Sequence, residues 1–404
     1  MKIKTLVAGA IAAATLFGAA STAGAVNRPE PTGWDGVNDL VIGGGSDTTY
    51  NFMQNAELLY NGSQGCETDN TSGSATIGQC KADPNAATET KGNWDHDRMS
   101  GKYPTGSGAG IKELQLGTVD YARSSRAPKS SGESDLNFWA YGKDGLAVVT
   151  FGARTPGNLT TAQLKNIYNC TITTWDQITG DPADAGKTIT PVGMNTASGT
   201  KAVFDTYLGF DANAGSCVKK LSISGAASFF AFENDVKPLL QSTTATDANA
   251  LDGTNLDNAI WWMSYAEWKA FSYKRQSASV WSVDGQAPSS ATISSNAYPI
   301  TRFIYHVTRK VDATPDASTD NVVGATVSGS PAVYTADAAA ASGGKQGGVR
   351  EFTEFLCKSS ANHANNDFSG LTQYTELGNV YTKTGFIRVP VAERTNGICK
   401  LVAG

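Results

Sequence analysis

Charge is sparse in this chain. Lys, Arg, Asp and Glu make up 17% of its 404 residues, and the balance is acidic, with a formal net charge of −5. Binding nucleic acid by neutralising phosphates needs a basic surplus, so the balance argues against that class. A small anion pocket is not excluded, because net charge does not describe a single cleft. Histidine is rarer still, at His96, His306 and His363. Asp95-His96-Asp97 has the outline of a metal cluster, yet it lies in a polar stretch without a second histidine and reads as a solvated loop. His306 lies in an apolar, strand-like run and reads as a structural histidine with its hydrogen bonds satisfied. No two cysteines stand at the C-x-x-C spacing of a zinc site. No Gly-x-Ser-x-Gly elbow follows a strand, which argues against a serine hydrolase. The sequence has no internal repeat and no coiled-coil heptads, and nothing beyond residue 25 is apolar enough to span a bilayer.

What is present begins with a targeting segment. Lys2 and Lys4 precede an apolar, small-residue stretch from Leu6 to Ala20, and Ala23-Gly24-Ala25 follows. This is the pattern of a signal peptide cleaved near Ala25, so the mature protein is expected to be soluble and secreted or in the cell envelope. No cysteine stands at the cleavage site, so no lipid anchor is expected there. All six cysteines lie beyond the leader, and an even count in an exported chain reads as disulfides. Six cysteines allow fifteen pairings. Neighbour pairing, Cys66–Cys80, Cys170–Cys217 and Cys357–Cys399, closes local loops and is the expectation.

With 43 glycines the chain is rich in turns, and its pattern is α/β. Residues 26–37 read as a flexible lead-in. Leu40-Val41-Ile42 runs into Gly43-Gly44-Gly45-Ser46-Asp47-Thr48-Thr49 and a helical pattern through Phe52, Met53, Ala56, Leu58 and Leu59: strand, glycine loop, helix. Residues 61–106 read as a surface excursion. A helix opens at Gly106-Ser107-Gly108, and Val119 to Ala122 reads as a strand entering Arg123-Ser124-Ser125-Arg126. Leu146 to Phe151 reads as a buried strand, and a capped amphipathic helix follows Thr160. Thr188 to Val192 reads as an edge strand or strand end, because of Pro191. Trp261, Trp262 and Trp268 could stack on a sugar, but their helical spacing favours core packing. Ile300 to Val307 reads as a strand and Val349 to Leu356 as a helix.

Four loops share one design, with hydroxyl and glycine residues just before a helix or just after a strand. They are Ser46-Asp47-Thr48-Thr49, Ser107-Gly108, Ser124-Ser125-Arg126 and Ser198-Gly199-Thr200. A helix start exposes unpaired backbone N–H groups and the positive end of the dipole. Ser and Thr add hydroxyl donors, and glycine allows close approach. Several such ends together hold a small oxyanion without a surplus of lysine. Each loop taken singly also reads as an ordinary N-cap.

The ordered set resembles a family. Gly45-Ser46-Asp47-Thr48-Thr49, Gly106-Ser107-Gly108-Ala109-Gly110-Ile111-Lys112 and Asp120-Tyr121-Ala122-Arg123-Ser124-Ser125-Arg126-Ala127-Pro128 come first. The stretch from Asn158 to Tyr168, Thr174-Trp175-Asp176, Ser198-Gly199-Thr200 with Phe204, Tyr298-Pro299-Ile300 and Gly385-Phe386-Ile387 follow in order. This series resembles the phosphate-binding, periplasmic-type solute-binding proteins of phosphate ABC transporters. The resemblance runs through most of residues 38–390, with insertions near 61–105 and 310–345.

The resemblance implies a type II periplasmic-binding-protein fold: two α/β lobes, each a mixed sheet flanked by helices, with a hinge and a ligand cleft between them. On that reading lobe 1 comprises 38–146 and 302–404, and lobe 2 comprises 147–301. Ser46, Asp47, Thr48, Thr49, Ser107, Gly108, Ser124, Ser125, Arg126, Ser198, Gly199 and Thr200 would form the phosphate site. The family often has an arginine four residues before the serine of Ser-Gly-Thr, and here that residue is Met194. Some members have an aspartate just before Ala-Pro that accepts the proton of hydrogen phosphate; here it is Arg126, as in members with Ser-Ser-Arg. Asp47 is the nearest replacement acceptor, with helix capping as its other role.

Arg126 is therefore expected to supply the main side-chain charge, with Arg123 second. Its loss would weaken binding roughly ten- to a hundredfold. The expected protein is a non-enzymatic monomer without cofactor or metal that binds inorganic phosphate, or a similar oxyanion, and serves an ABC permease. The alternatives are a secreted phosphoester hydrolase using Asp95, His96 and Asp97 with a metal, and an interaction protein that keeps the fold without the ligand.

Overall fold

The computed structural model describes residues 40–404 except 64–97, 103–104, 130–131, 152–153, 222–227, 234–249, 252–257, 271–277, 311–348, 350–351, 354–355, 358–371 and 396–398. The leader, Cys66 and Cys80, and Asp95-His96-Asp97 thus lie outside the described residues.

The chain opens with β1 (Leu40–Gly45), α1 (Tyr50–Ser63), β2 (Arg98–Gly101), α2 (Ser107–Gln115), β3 (Tyr121–Ser124) and β4 (Leu136–Thr150). Then come β5 (Asn158–Leu159), α3 (Thr161–Tyr168), α4 (Asp176–Thr179), β6 (Thr190–Pro191), α5 (Gly199–Leu208), β7 (Lys220–Leu221) and β8 (Ala250–Leu251). They are followed by β9 (Ala259–Ser264), α6 (Tyr265–Ala270), β10 (Ser279–Val283), α7 (Ser290–Ser294) and β11 (Thr301–Arg309). The last elements are α8 (Thr372–Thr384), β12 (Ile387–Arg388) and β13 (Lys400–Ala403).

β1 pairs in parallel with β2 and β3, and β11 lies antiparallel to both β3 and β4. The first part of β4 also carries β13 and β12, whereas its last residues pair with β9 and β10. β6 joins β9, and β5 joins β10, both in parallel. β4 therefore runs through both halves of the sheet system.

The apolar residues divide along it. Leu146–Val149 of β4 share a core with Leu164, Trp175, Phe204, Trp262 and Ile300, all between residues 146 and 300. Trp139 and Tyr141 share another core with Phe52, Tyr121, Ile304, Phe352 and Phe386, and Phe138 a third with Leu114 and Val307. The protein is thus two-lobed.

Local signals in the sequence act as expected at several element ends. Thr160 Oγ1 accepts from Gln163 N at 3.1 Å, and Gln163 Oε1 accepts from Thr160 N at 2.9 Å, closing a capping box on α3. Pro191 ends a two-residue strand, with no ladder bond required of its nitrogen. Cys170–Cys217 and Cys357–Cys399 are bonded as neighbours.

Two readings need correction. The strand read from Leu146 starts ten residues earlier, at Leu136, because Gly142-Lys143-Asp144-Gly145 is not a turn. Long-range partners hold that polar stretch extended: Lys143 Nζ donates to Glu393 Oε1 at 2.8 Å, and Asp144 binds Arg302. The tryptophans at 261 and 262 are on strand β9, not at helical spacing. Both are fully buried, and Trp262 stacks on Phe204 with ring centroids 4.3 Å apart. They are core residues, and no sugar platform exists at these two positions. Trp268, on α6, is only partly buried, and its indole N–H donates to Ala278 O at 2.9 Å.

Candidate functional site

The starts of α1, α2 and α5 meet at the seam between the lobes. Gly106, the N-cap of α2, has φ 100°, and a Cβ there would lie 2.4 Å from Ala197 O, so the seam at this point admits only glycine. Gly108 N donates to Ala197 O at 3.2 Å, so its amide is already used in joining the two loops. A Cβ on Gly199 would sit 2.3 Å from Ser107 Oγ and 2.4 Å from Ser125 Oγ, so the first turn of α5 is pressed onto both serines.

Four predicted hydroxyls come together. Thr48 Oγ1 and Thr200 Oγ1 are 2.9 Å apart, Thr48 Oγ1 is 3.4 Å from Ser125 Oγ, and Ser125 Oγ is 3.3 Å from Ser107 Oγ. Ser125 N donates to Ser107 Oγ at 3.0 Å. All four residues are fully buried. Thr48 belongs to the β1–α1 loop, Ser107 to α2, Ser125 to the loop after β3, and Thr200 to α5 across the seam.

Of the other predicted residues, Ser198, Ser124 and Asp47 serve as framework. Ser198 is the N-cap of α5: its Oγ accepts from Thr200 N at 3.1 Å and Lys201 N at 3.3 Å, and its hydroxyl donates to Met194 Sδ at 3.2 Å. Ser124 Oγ donates to Arg126 O at 2.8 Å and holds the turn. Asp47 takes Thr48 N at 3.1 Å and Glu233 N at 3.2 Å, so its carboxylate organises backbone amides. Thr49 is buried, with its carbonyl accepting from Met53 N. Ser46 Oγ is buried without a hydrogen-bond partner among the described residues.

The two arginines expected at the ligand are engaged elsewhere. Arg126 forms a bidentate pair with Glu133, Nη2 to Oε1 at 2.6 Å and Nη1 to Oε2 at 3.0 Å, and also donates to Ala127 O. An acid seven residues downstream thus takes up both terminal nitrogens of its guanidinium. Arg123 is buried beneath the β1–α1 loop, donating to Gly43 O at 3.2 Å and Lys102 O at 2.9 Å.

The charge at the hydroxyls comes from residues that sequence reasoning missed. Arg302, on β11, donates from Nη1 to Thr200 Oγ1 at 2.7 Å and to Ser125 O at 3.3 Å. Asp144, on β4, holds that guanidinium from Nη2 at 2.7 Å and Nε at 3.1 Å. Burial pushes the Asp144 carboxyl above the usual range, and the arginine and the Ala266 amide oppose that rise. Glu233 is fully buried, and its Oε2 accepts from Thr48 Oγ1 and from Thr200 Oγ1, each at 2.5 Å. Its Oε1 accepts from Ser264 N. Two signals pointed here: Arg302 stands two residues after Tyr298-Pro299-Ile300, and Glu233 is the acid that directly follows Phe229-Phe230-Ala231-Phe232.

This arrangement is an enclosed set of small donors with one fixed cation, gathered around the Glu233 carboxylate, and its donor chemistry is that of a compact-oxyanion site. Among the described residues no group of three or more His, Cys, Asp or Glu side chains is placed to hold a metal ion. Nor is any described helix long and apolar enough to cross a membrane.

The family described as PBP superfamily domain matches residues 94–338, more than half of the chain. The chain belongs to that superfamily. No curated protein matches it. Among solved structures, it is similar to a protein from Clostridium perfringens described as a phosphate ABC transporter substrate-binding protein with bound phosphate. The identity is 18% and the TM-score 0.51, covering 87% of this chain and all of that one. An ABC-type phosphate transport receptor from Vibrio cholerae aligns at 18% identity and TM-score 0.47, covering 87% of this chain and all of that one. At such identity the Clostridium likeness bears on the fold, and it agrees with the two lobes described above.

Proposed function

We propose that this superfamily member is an exported, non-enzymatic solute-binding protein that captures inorganic phosphate between its lobes and delivers it to an ABC permease. The observation that carries the reading is the convergence of Thr48, Ser107, Ser125 and Thr200 with Arg302 where three helix starts meet. Hydroxyls and helix N-termini favour a compact anion, and a guanidinium adds a planar, permanently charged donor. Arg302 thereby supplies the charge that Met194 lacks. Lobe 1 then comprises residues 38–146 and 302–404, lobe 2 comprises 147–301, and β4 and β11 connect them. The leader-like first 25 residues support export. The fold match to a protein solved with phosphate agrees with this substrate.

Isothermal titration of the mature chain with phosphate and with sulfate tests the reading. Saturable heat with phosphate is expected, and its absence at near-millimolar concentration would overturn it.

A further inference from the structure

We infer that Glu233 acts as the site's own tethered anion, and that an incoming oxyanion binds by displacing its carboxylate. The inference rests on the oxyanion-binding reading above and deepens it by naming the residue that limits affinity.

The first ground is proton counting. A threonine hydroxyl has one proton to donate. Thr48 and Thr200 both stand 2.5 Å from the same oxygen, Glu233 Oε2, a distance at which each hydroxyl is the donor to the carboxylate. Arg302 Nη1 fills the acceptor side of Thr200 Oγ1 from 2.7 Å. The chain Arg302 to Thr200 to Glu233 is thus directed toward a negative charge that the protein already supplies. The two hydroxyls cannot also donate to a second anion until they leave the first.

The second ground is how the carboxylate spans the seam. Thr48 belongs to the β1–α1 loop and Thr200 to α5, so a single carboxylate oxygen ties together the two walls that a ligand would bridge. Glu233 N donates to Asp47 Oδ2 at 3.2 Å, and Ala231, two residues earlier, accepts from Asn195 N at 2.8 Å. The backbone is therefore docked on both walls, so displacement moves the Glu233 side chain alone, which gives up its bonds to Thr48, Thr200 and the Ser264 amide. The third ground is charge. An ionised carboxylate and a phosphate dianion held by the same buried hydroxyls would repel strongly in a medium of low polarity, so the site holds one of them at a time. A site that is mostly self-occupied binds more weakly, in proportion to the fraction that is free.

The test compares wild type, Glu233→Gln and Glu233→Ala as full-length mature proteins, with phosphate and sulfate as the titrated ions. Glu233→Gln keeps the size of the side chain in case the alanine variant folds poorly. Both variants are expected to bind phosphate at least about tenfold more tightly than wild type, and to melt at lower temperature without ligand because the bridge is gone. Unchanged or weaker phosphate binding in a folded variant overturns the inference. Weaker phosphate binding together with new sulfate binding would instead show a carboxylate that shares a proton with the bound ligand. Phosphate binding by wild type that neither variant strengthens defeats this inference alone. Silence from all three proteins with both anions defeats the oxyanion reading and this inference together.

Discussion

Arg126 and Arg302 reach the same part of the molecule from different places. Arg126 follows two of the predicted donors in sequence, whereas Arg302 lies on a strand 176 residues further along. Glu133, on the same loop, turns Arg126 into a local staple. Asp144, 158 residues from Arg302 in sequence, fixes two of that guanidinium's nitrogens and leaves the third facing the hydroxyls. The difference shows that adjacency to donors does not place a charge. What places it is the acid that holds the guanidinium, and whether that acid leaves a nitrogen free for the site.

Arg302→Ala tests this contrast most severely. It removes a charged contact and strands Asp144 in the interior, and breaking a buried pair costs about 3–5 kcal/mol of stability. Phosphate affinity should fall about a hundredfold, as loss of a charged hydrogen bond worth about 1.5–3 kcal/mol implies. Titration calorimetry alongside denaturant unfolding measures both. Equal affinity in a folded variant would mean that hydroxyls and helix ends suffice.

His306 extends the comparison along β11. Four residues beyond the well-partnered Arg302, its imidazole is fully buried between Tyr121 and Phe352, and neither nitrogen has a hydrogen-bond partner among the described residues. Burial lowers its pKa to about 3 from an ordinary value near 6.5. Below pH 6.5 the unfolded chain takes up a proton that the native imidazole refuses, so stability falls as the pH drops from about 6.5 toward 3. The loss should reach several kcal/mol over that window, since each pH unit within it is worth about 1.4 kcal/mol. Thermal melts at stepped pH follow the loss, and His306→Phe should flatten the profile.

Gly199→Ala should have a smaller effect. Its Cβ would push Ser107 Oγ and Ser125 Oγ, which have little room to move, and forced packing of this kind costs about 1–3 kcal/mol. Phosphate affinity should drop about tenfold, the lower end of that range. An unaltered dissociation constant would show that the seam relaxes around an added methyl.

Arg126→Gln should change affinity least, within about twofold, with its cost appearing as a lower melting temperature through loss of the Glu133 pair. A drop of tenfold or more, with the fold intact, would restore Arg126 to the ligand and reverse the comparison.

Much of this protein is legible through local rules. The β1–loop–α1 unit, the Thr160 capping box and the cap at Ser198 involve groups within a few residues of one another, so residue type and spacing suffice to find them. The donor loops are legible for the same reason, and Thr48, Ser107, Ser125 and Thr200 do come together. Ser198 illustrates the limit: the side chain that makes it a good cap also makes it resemble a ligand donor. Asp144 is hidden because Gly142-Lys143-Asp144-Gly145 has the composition of a turn, and distant partners, among them β11, β12, Glu393 and Arg302, hold it in a strand.

The amino-acid order by itself determined the alternation of strand and helix and the helix starts rich in hydroxyls and glycine. Backbone hydrogen bonding and side-chain periodicity act over one or two turns, so these features need no distant partner. Which charges join the buried hydroxyls was decided only by tertiary structure. Arg302, Asp144 and Glu233 lie on three separate segments, and each becomes a site residue through partners more than 30 residues away. A buried charge settles where its desolvation is compensated, and those compensating groups come together only when the lobes pack.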